Sequence, residues 1–261
     1  MSLERLLLPP GYTWVTLGDA EIVALPALVP SLQQALQEGT IYDWAAHHPA
    51  SRTLFGRGVA YAVPLPDGGP TAVVRRSRHG GLLAPLTGDR FLAGTRAPRE
   101  LEVSLRLARL GVPTPEVLAY ATYAAGPLLR RADVLTREVP GGADLADLLG
   151  DAPSDELKRH LLDTIARLLV KLALVGARHP DLNLKNILIA PDENGETTAF
   201  ALDVDRVWFD DSGPAHVMSA NLRRLSRSAR KLRRLRGLPV DEEDLLWLAT
   251  AVSEALEAPN S

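Results

Sequence analysis

The spacing of apolar residues divides the chain into a part rich in strand signals and a part rich in helix signals. Two β-rich runs, residues 59–63 and 71–75, flank a turn cluster at residues 66–70 and predict a hairpin. The run at residues 98–110 predicts a helix, because a proline suits its first turn and a glycine follows its end. The first fifty residues instead predict an irregular extension with one short helix at residues 31–39.

The second half of the chain has mainly helical periodicity. Its helices are predicted at residues 144–149, 155–177, 219–236 and 241–257. The helix at 155–177 is strongly apolar, which indicates a central buried position. Two short apolar runs, 187–189 and 200–202, predict strands joined by a turn. These elements predict an α+β fold with two lobes: an N-terminal extension and β-rich lobe over residues 1–138, and a mainly helical lobe over residues 139–261.

Composition and charge are those of an ordinary soluble protein. The 261 residues are 46% hydrophobic and 23% charged, with a net charge of -3, so nothing global indicates nucleic-acid binding. The chain has no cysteine, which excludes disulfides, thiolate metal sites and a cysteine nucleophile. No apolar run approaches the roughly 20 residues of a membrane-spanning helix, and the run at residues 6–8 is too short for a signal peptide. We therefore expect a cytoplasmic protein.

A polar cluster interrupts the apolar pattern of the second half. Asp181 is followed five residues later by Asn186 and an apolar strand, and Asp203 ends the next strand. A kinase needs this arrangement: one Asp orients the attacking hydroxyl and takes its proton, while a downstream Asn and a second Asp hold Mg²⁺ on the phosphates of ATP. The cluster therefore predicts a protein-kinase-like fold with Asp181, Asn186 and Asp203 as catalytic residues. Asn186 and Asp203 are the predicted metal ligands.

The β-rich part supplies the residues that a kinase uses to bind its nucleotide. Gly56 and Gly58 precede the predicted hairpin, and small glycines there would let the backbone close over phosphates. Arg75 ends the second strand, where a kinase places the cation that contacts the α- and β-phosphates. Glu100 lies in the following helix at the position of its partner acid. Arg76 is predicted to point to the opposite face of the strand.

The helix predicted at residues 219–236 is amphipathic and basic. Between residues 221 and 237 the basic residues are Arg223, Arg224, Arg227, Arg230, Lys231, Arg233, Arg234 and Arg236, with no acid among them. Leucines recur at helical spacing, so we expect them to pack on the second lobe. The exposed cations predict contact with an anionic acceptor or membrane surface. The candidate contacts are Arg223, Arg227, Arg230 and Arg234.

The chain resembles the lipopolysaccharide-core kinase family, and within it the members that phosphorylate 3-deoxy-D-manno-octulosonic acid (Kdo). The similar segments are residues 56–58, 73–75, 80–82, 95–100, 111–115, 179–188, 202–206 and 221–228. The family is similar in having Arg at position 75, and Asn at position 183 where most protein kinases have Lys. It usually shows Asp-Phe-Asp where this chain has Val204 between its two acids.

This resemblance implies transfer of the γ-phosphoryl group of ATP to a hydroxyl of a Kdo residue in the inner core of lipopolysaccharide. It implies ATP and Mg²⁺ as cofactors, and Kdo-lipid A or a related glycolipid as acceptor. The expected location is the cytoplasmic face of the inner membrane, as a peripheral protein on its anionic surface. Two alternatives stay open: a kinase of another small-molecule or glycolipid acceptor, and a non-catalytic pseudokinase.

Overall fold

A computed structural model describes residues 8–55, 58–66, 68–77, 89, 91–92, 94–126, 128–192 and 194–258. The chain divides into two compact units. The first unit is Met1–Glu102 with Glu116–Glu138, and the second unit is Val103–Pro115 with Val139–Ser261. The chain therefore passes from one unit to the other three times, and the short segment 103–115 belongs with the C-terminal part.

The first unit is built on one eight-stranded antiparallel sheet. Its strands are β1 (Thr13–Leu17), β2 (Ala20–Ala24), β3 (Arg52–Phe55), β4 (Val59–Pro64), β5 (Thr71–Arg76), β6 (Phe91–Leu92), β7 (Val117–Ala124) and β8 (Leu129–Arg137). The order is β1-β2-β7-β8-β5-β4-β3, and β6 pairs with β8. Helices α1 (Val29–Ala35) and α2 (Ile41–His47) contribute Leu32, Ile41 and Trp44 to the core of this unit.

The prediction of an irregular N-terminal extension is wrong. Strands β1 and β2 form a hairpin, and β2 pairs with β7, so this segment extends the sheet. The hairpin turn consists of Gly18 and Asp19, and Gly18 has a φ of +61°, which glycine adopts without steric cost. The first helix covers Val29–Ala35 rather than residues 31–39. Ile22 and Leu32 are each 1% exposed, so the segment is part of the core.

Other predictions for the first unit are confirmed. Strands β4 and β5 form the expected hairpin, with Ala60 opposite Arg75 and Pro64 opposite Thr71. The expected helix is α3 (Ala97–Arg109), which runs from the first unit into the segment that belongs to the second. Strand β7 was not predicted, although it lies between β2 and β8 in the sheet. Most of the loop predicted between residues 77 and 95 lies outside the described residues.

The second unit is mainly helical. Its helices are α4 (Leu145–Gly150), α5 (Asp155–Leu174), α6 (Pro214–Arg236) and α7 (Glu242–Glu257). Its short strands are β9 (Ala143–Asp144), β10 (Ala177–Arg178), β11 (Ile187–Pro191), β12 (Thr197–Ala201) and β13 (Trp208–Phe209), which form the sheets β12-β11-β9 and β10-β13. Helix α5 is capped by Ser154 and packs against α6, α7 and β12, so the predicted central helix is confirmed.

Candidate active site

The loop between β10 and β11 carries two of the predicted catalytic residues. The side chains of Asn183 and Asn186 both donate from Nδ2 to the main-chain carbonyl of Asp181, at 2.8 Å and 2.9 Å. Asn183 also accepts from the Lys185 amide at 3.0 Å through its Oδ1. Two amides therefore hold one carbonyl, and this fixes the backbone from which the Asp181 carboxylate projects.

The β11–β12 hairpin carries Asp203 back to this loop. Residue Ile187 lies opposite Ala201, and the Leu202 amide donates to the Asn186 carbonyl at 2.9 Å. Asp203 follows directly in the left-handed conformation, with φ 53° and ψ 49°. Aspartate visits this region at a cost, and such residues concentrate at functional sites. The structure thus brings Asn186 and Asp203 to the same end of the hairpin, as the spacing predicted.

His179 lies buried beneath the loop. Its ring is 1% exposed, and its Nε2–H donates to the Leu202 carbonyl at 2.9 Å. Burial lowers the pKa of His179 below its usual 6.5, although the Leu202 hydrogen bond and the nearby carboxylates Asp203, Asp181 and Asp205 act in the opposite direction. His179 is therefore a neutral connector between the loop and the strand end, rather than an acid or base for the reaction.

Helix α6 contacts the same loop through residues that the sequence did not single out for this role. Asn221 accepts from the His179 amide and donates to the Ala177 carbonyl, both at 2.9 Å. Arg224 donates from Nε to the Pro180 carbonyl at 2.8 Å and from its terminal nitrogen to Asp181 Oδ1 at 2.6 Å. Ser228 accepts from the Leu184 amide at 3.3 Å. Two signals were available, their spacing on one face of a helix and their place in the family-like segment 221–228, and neither identifies the loop they contact.

The oxygen donors of the loop fit a magnesium ion. Asn186 uses Nδ2 to bind the Asp181 carbonyl, which leaves its Oδ1 as the atom of this amide suited to a hard cation. Asp203 adds a carboxylate. Across the ranges that the structure describes, no three or more His, Cys, Asp or Glu side chains form a metal cluster. Mg²⁺ usually takes only one or two protein carboxylates or amides together with substrate phosphates, so a two-residue donor set is compatible with it.

The first unit contains the predicted nucleotide-binding residues. Arg75 at the end of β5 forms an ion pair with Glu100 of α3, and the Glu100 side chain is 6% exposed. The predicted pairing of these two residues is thus present. Gly58 is described and partly buried, whereas Gly56 lies outside the described residues.

Arg76 lies in a separate network on the opposite face of β5, as strand alternation predicts. It forms ion pairs with Asp43 of α2 at 3.1 Å and with Asp133 of β8 at 3.4 Å, and its guanidinium lies 4.4 Å from the centre of the Tyr42 ring. Asp133 is fully buried, and this burial raises its pKa despite hydrogen bonds from the Tyr42 amide and from Arg76. Arg76 therefore links α2 to the centre of the sheet.

The basic residues of α6 do not share one environment. Arg223 and Arg227 are exposed and donate to main-chain carbonyls of their own helix, at 3.2 Å and 3.3 Å. Arg234 is also exposed. Arg230 forms an ion pair with Glu242 of α7 at 2.7 Å, which raises the pKa of its guanidinium through that hydrogen bond and charge. Residues 221–237 contain no acid, so the carboxylate that pairs with Arg230 comes from the next helix, α7.

Known proteins are similar to this chain over most of its length. Residues 44–247 match the family model "Lipopolysaccharide kinase (Kdo/WaaP) family". A 3-deoxy-D-manno-octulosonic acid kinase of Vibrio parahaemolyticus is 29% identical over 80% of this chain and 85% of its own. One from Haemophilus influenzae is 33% identical over 77% of this chain and 83% of its own. A solved structure, WaaP in complex with acyl carrier protein, is 20% identical, covers 79% of this chain and 88% of its own, and has a TM-score of 0.45.

Proposed function

This chain belongs to the lipopolysaccharide kinase (Kdo/WaaP) family, and from that premise we propose that it phosphorylates a Kdo sugar of the lipopolysaccharide inner core. The reaction transfers the γ-phosphoryl group of ATP to a hydroxyl of Kdo-lipid A. Several relatives named 3-deoxy-D-manno-octulosonic acid kinase, at 29% to 33% identity over about four fifths of the chain, support this choice of acceptor.

One structural observation carries the proposal. The β10–β11 loop and the β11–β12 hairpin bring Asp181, Asn186 and Asp203 into one polar cluster, fixed by hydrogen bonds to the Asp181 carbonyl and the Asn186 carbonyl. A kinase needs a carboxylate for the attacking hydroxyl and two oxygen ligands for the metal. This cluster provides them from three separate positions in the sequence, which favours an active enzyme over a pseudokinase.

Each residue of the cluster has a chemical task in this proposal. Asp181 accepts the proton of the sugar hydroxyl and orients its oxygen toward the γ-phosphorus. Asn186 and Asp203 would hold Mg²⁺, which neutralises charge on the phosphates when bound. His179, neutral and buried, keeps the strand end beneath the loop in place through its bond to the Leu202 carbonyl. Positioning and charge neutralisation supply most of the rate in this class of reaction.

The first unit would bind the nucleotide. Arg75 contributes a guanidinium whose fork of donors suits phosphate oxygens, and Glu100 holds that guanidinium in place. Gly58 and the neighbouring Gly56 would let the backbone approach the phosphates. Cofactor use is therefore ATP with Mg²⁺.

The test is a transfer assay with the full chain, ATP, Mg²⁺ and Kdo-lipid A, followed by mass spectrometry of the lipid. We expect a product heavier by one phosphoryl group, and no such product from the Asp181→Asn variant, since loss of acid–base help costs at least about 10²-fold in rate. Lipid A without Kdo serves as the control acceptor. Equal phosphorylation of both lipids, or none of either, would overturn the assignment of the acceptor.

We also propose that the protein works on the cytoplasmic face of the inner membrane as a peripheral protein. None of the helices in the described ranges has the length and apolar composition needed to cross a bilayer. The exposed cations Arg223, Arg227 and Arg234 would contact anionic lipid or the charged groups of the acceptor. Arg230 contributes less, because Glu242 already neutralises it.

A further inference from the structure

We propose that Arg224 of α6 is a positioning residue for the catalytic carboxylate of Asp181. This role deepens the proposed function and rests on it. The guanidinium grips the loop at two points: Nε donates to the Pro180 carbonyl at 2.8 Å, and a terminal nitrogen donates to Asp181 Oδ1 at 2.6 Å. One rigid, planar group thus fixes both a backbone carbonyl and the adjacent carboxylate.

Arg224 differs from the other arginines of its helix in what it contacts. Arg223 and Arg227 donate to carbonyls of α6 itself, and both are exposed. Arg224 instead shares its helix face with Asn221 and Ser228, since positions three and four apart lie on the same side. Asn221 holds the loop at His179, and Ser228 holds it at Leu184. This face of α6 therefore contacts the loop before, at and after Asp181.

Helix α6, which carries this contact, is packed into the core of the second unit. Leu222, Leu225 and Ala229 are buried in the core of the second unit, and Asn221 is 1% exposed. The Arg224 side chain is 30% exposed and the Asp181 side chain 18%, so the ion pair is partly shielded from water. A shielded, two-point contact on a packed helix restricts the rotation of the Asp181 carboxylate before any substrate binds.

This restriction has a chemical consequence. With Oδ1 held by Arg224, the carboxylate plane has a defined direction relative to the loop backbone. A sugar hydroxyl must meet the carboxylate in a near-attack geometry, and a misplacement of about 1 Å can cost about 10²-fold in rate. Loss of Arg224 should therefore lower kcat, while ATP affinity should change little because the groups that Arg224 holds, the Pro180 carbonyl and Asp181, are not among the proposed phosphate or metal ligands.

The test is a double-mutant cycle on the full chain, with ATP, Mg²⁺ and Kdo-lipid A as substrates. Arg224→Ala should lower kcat about 10²-fold with the KM for ATP within about twofold of wild type. Arg224→Lys should recover part of the rate, because an ammonium keeps the charge but lacks the two-point fork. Arg236→Ala, an exposed arginine at the end of the same helix, is the matched control and should retain wild-type kcat.

The double variant Asp181→Asn with Arg224→Ala decides whether the arginine acts through the aspartate. We expect it to be no slower than Asp181→Asn alone, within about twofold, because residues that act as a unit are not additive. Two results would overturn the inference: wild-type kcat in Arg224→Ala, or a double variant slowed by the product of the two single effects. If Arg224→Ala does not fold, the cycle with Arg224→Lys gives the same decision.

The cycle also separates this inference from the proposed function. If the wild-type chain does not phosphorylate Kdo-lipid A, the acceptor assignment fails. The four proteins of the cycle, which are the wild type, the two single variants and the double variant, are then compared in ATP hydrolysis, where Asp181 would orient water instead of a sugar hydroxyl. Non-additive effects there would support the role of Arg224, and additive effects would contradict it.

Discussion

At the scale of single residues, Asp203 combines a proposed metal-binding role with an unusual backbone conformation. Its φ of 53° places it in the left-handed region, which costs most residues about 1–2 kcal/mol but which Asp and Asn tolerate best. Val204, where the family usually has Phe, is buried behind it at 2% exposure. Val204 belongs to the hydrophobic core of the second unit, whereas its neighbours Asp203 and Asp205 are partly exposed.

This conformation makes Asp203→Asn a clean probe of the metal site. Asparagine tolerates the same backbone but loses the charge, so we expect Mg²⁺-dependent ATP affinity to fall at least tenfold, or about 1.4 kcal/mol, with thermal stability nearly unchanged. Asp203→Ala should lose the same affinity and in addition about 1 kcal/mol of stability. Isothermal titration with and without Mg²⁺ gives the affinity, and the exposed Asp211→Asn is the control. Unchanged metal-dependent affinity in Asp203→Asn would show that this residue is not a ligand.

Replacing the adjacent residues Arg75 and Arg76 by Ala should affect different properties of the protein. Arg75→Ala removes the predicted phosphate contact, so ATP binding and turnover should fall; it also removes the ion-pair partner of the buried Glu100, so ATP affinity is measured on the molecules that remain folded. Arg76→Ala leaves the fully buried Asp133 without its cation, which should lower the free energy of unfolding by about 3 kcal/mol. Among the molecules that remain folded, ATP affinity should stay close to wild type. Denaturant unfolding and ATP titration separate the two effects, and a larger loss of ATP affinity in Arg76→Ala would exchange the assigned roles.

At the scale of elements, the sequence pattern predicted the helices and hairpins whose signals lie within a short stretch of residues. Helix α5 has a Ser154 cap and a continuous buried face, and the β4–β5 hairpin has a clear turn cluster. The β1–β2 hairpin was missed although two β-rich runs flank Gly18 and Asp19, a strong turn signal. Strand β7 was missed because prolines precede it and because nearly all of it is buried on both faces, which removes the alternation expected of a strand.

In the candidate site, too, residues connected by short segments were predicted, whereas contacts between distant segments were not. The spacing of Asp181, Asn186 and Asp203 was readable because one loop and one hairpin connect them. The contact of Arg224 with Asp181 joins residues 43 positions apart, and it depends on how a helix packs on a loop. No local pattern contains that information, so Arg224 was grouped with the basic surface. The ion pair between Arg230 and Glu242 was missed for the same reason.

The junction of the loop and the hairpin should respond to pH through His179. Its pKa is lowered in the folded protein below the usual 6.5, so between these two values the unfolded chain binds more protons than the folded one. The contribution of His179 to the free energy of unfolding should therefore be fully present above about pH 6.5 and should decline as pH falls below it. The loss at pH 5 is limited to about 2 kcal/mol, the free energy that the unfolded chain gains when an ordinary histidine binds a proton at that pH.

His179→Gln is the matched variant, because its amide can donate to the Leu202 carbonyl but does not titrate. We expect thermal unfolding between pH 7.5 and pH 5 to show a weaker decline in this variant than in the wild type. Asp133, whose raised pKa gives stability that decreases as pH rises, is present in both proteins and cancels in the difference. Parallel pH profiles for the two proteins would exclude His179 as the titrating group.

At the scale of the whole molecule, the sheet of the first unit includes strands that precede the residues of the family match. The predicted α+β, protein-kinase-like fold class is confirmed by the family match and by the contrast between a sheet-based unit and a mainly helical one. The match begins at residue 44, whereas β1, β2 and α1 lie before it and still form part of the first unit. The predicted catalytic residues lie in the second unit, and the predicted nucleotide-binding residues lie in the first.

The exposed basic residues of α6 predict that the whole molecule binds to anionic membrane surfaces. Each basic residue near an anionic surface contributes about 1 kcal/mol, so Arg223, Arg227 and Arg234 together would contribute about 3 kcal/mol. That corresponds to about 10²-fold stronger partitioning onto anionic than onto neutral vesicles, which is reversible and sensitive to salt. We therefore expect co-sedimentation with anionic vesicles at low salt and release at high salt.

Two variants separate this charge effect from damage to the helix. Reversing Arg223, Arg227 and Arg234 to Glu should abolish binding, and the fold should tolerate it because all three side chains are exposed. The double exchange Arg230→Glu with Glu242→Arg keeps both the net charge and the ion pair, so it should bind as the wild type does. Binding that ignores salt, or that survives the triple reversal, would show that electrostatic attraction to this face of α6 does not bring the protein to the membrane. Equal loss in both variants would instead point to disruption of the α6–α7 contact.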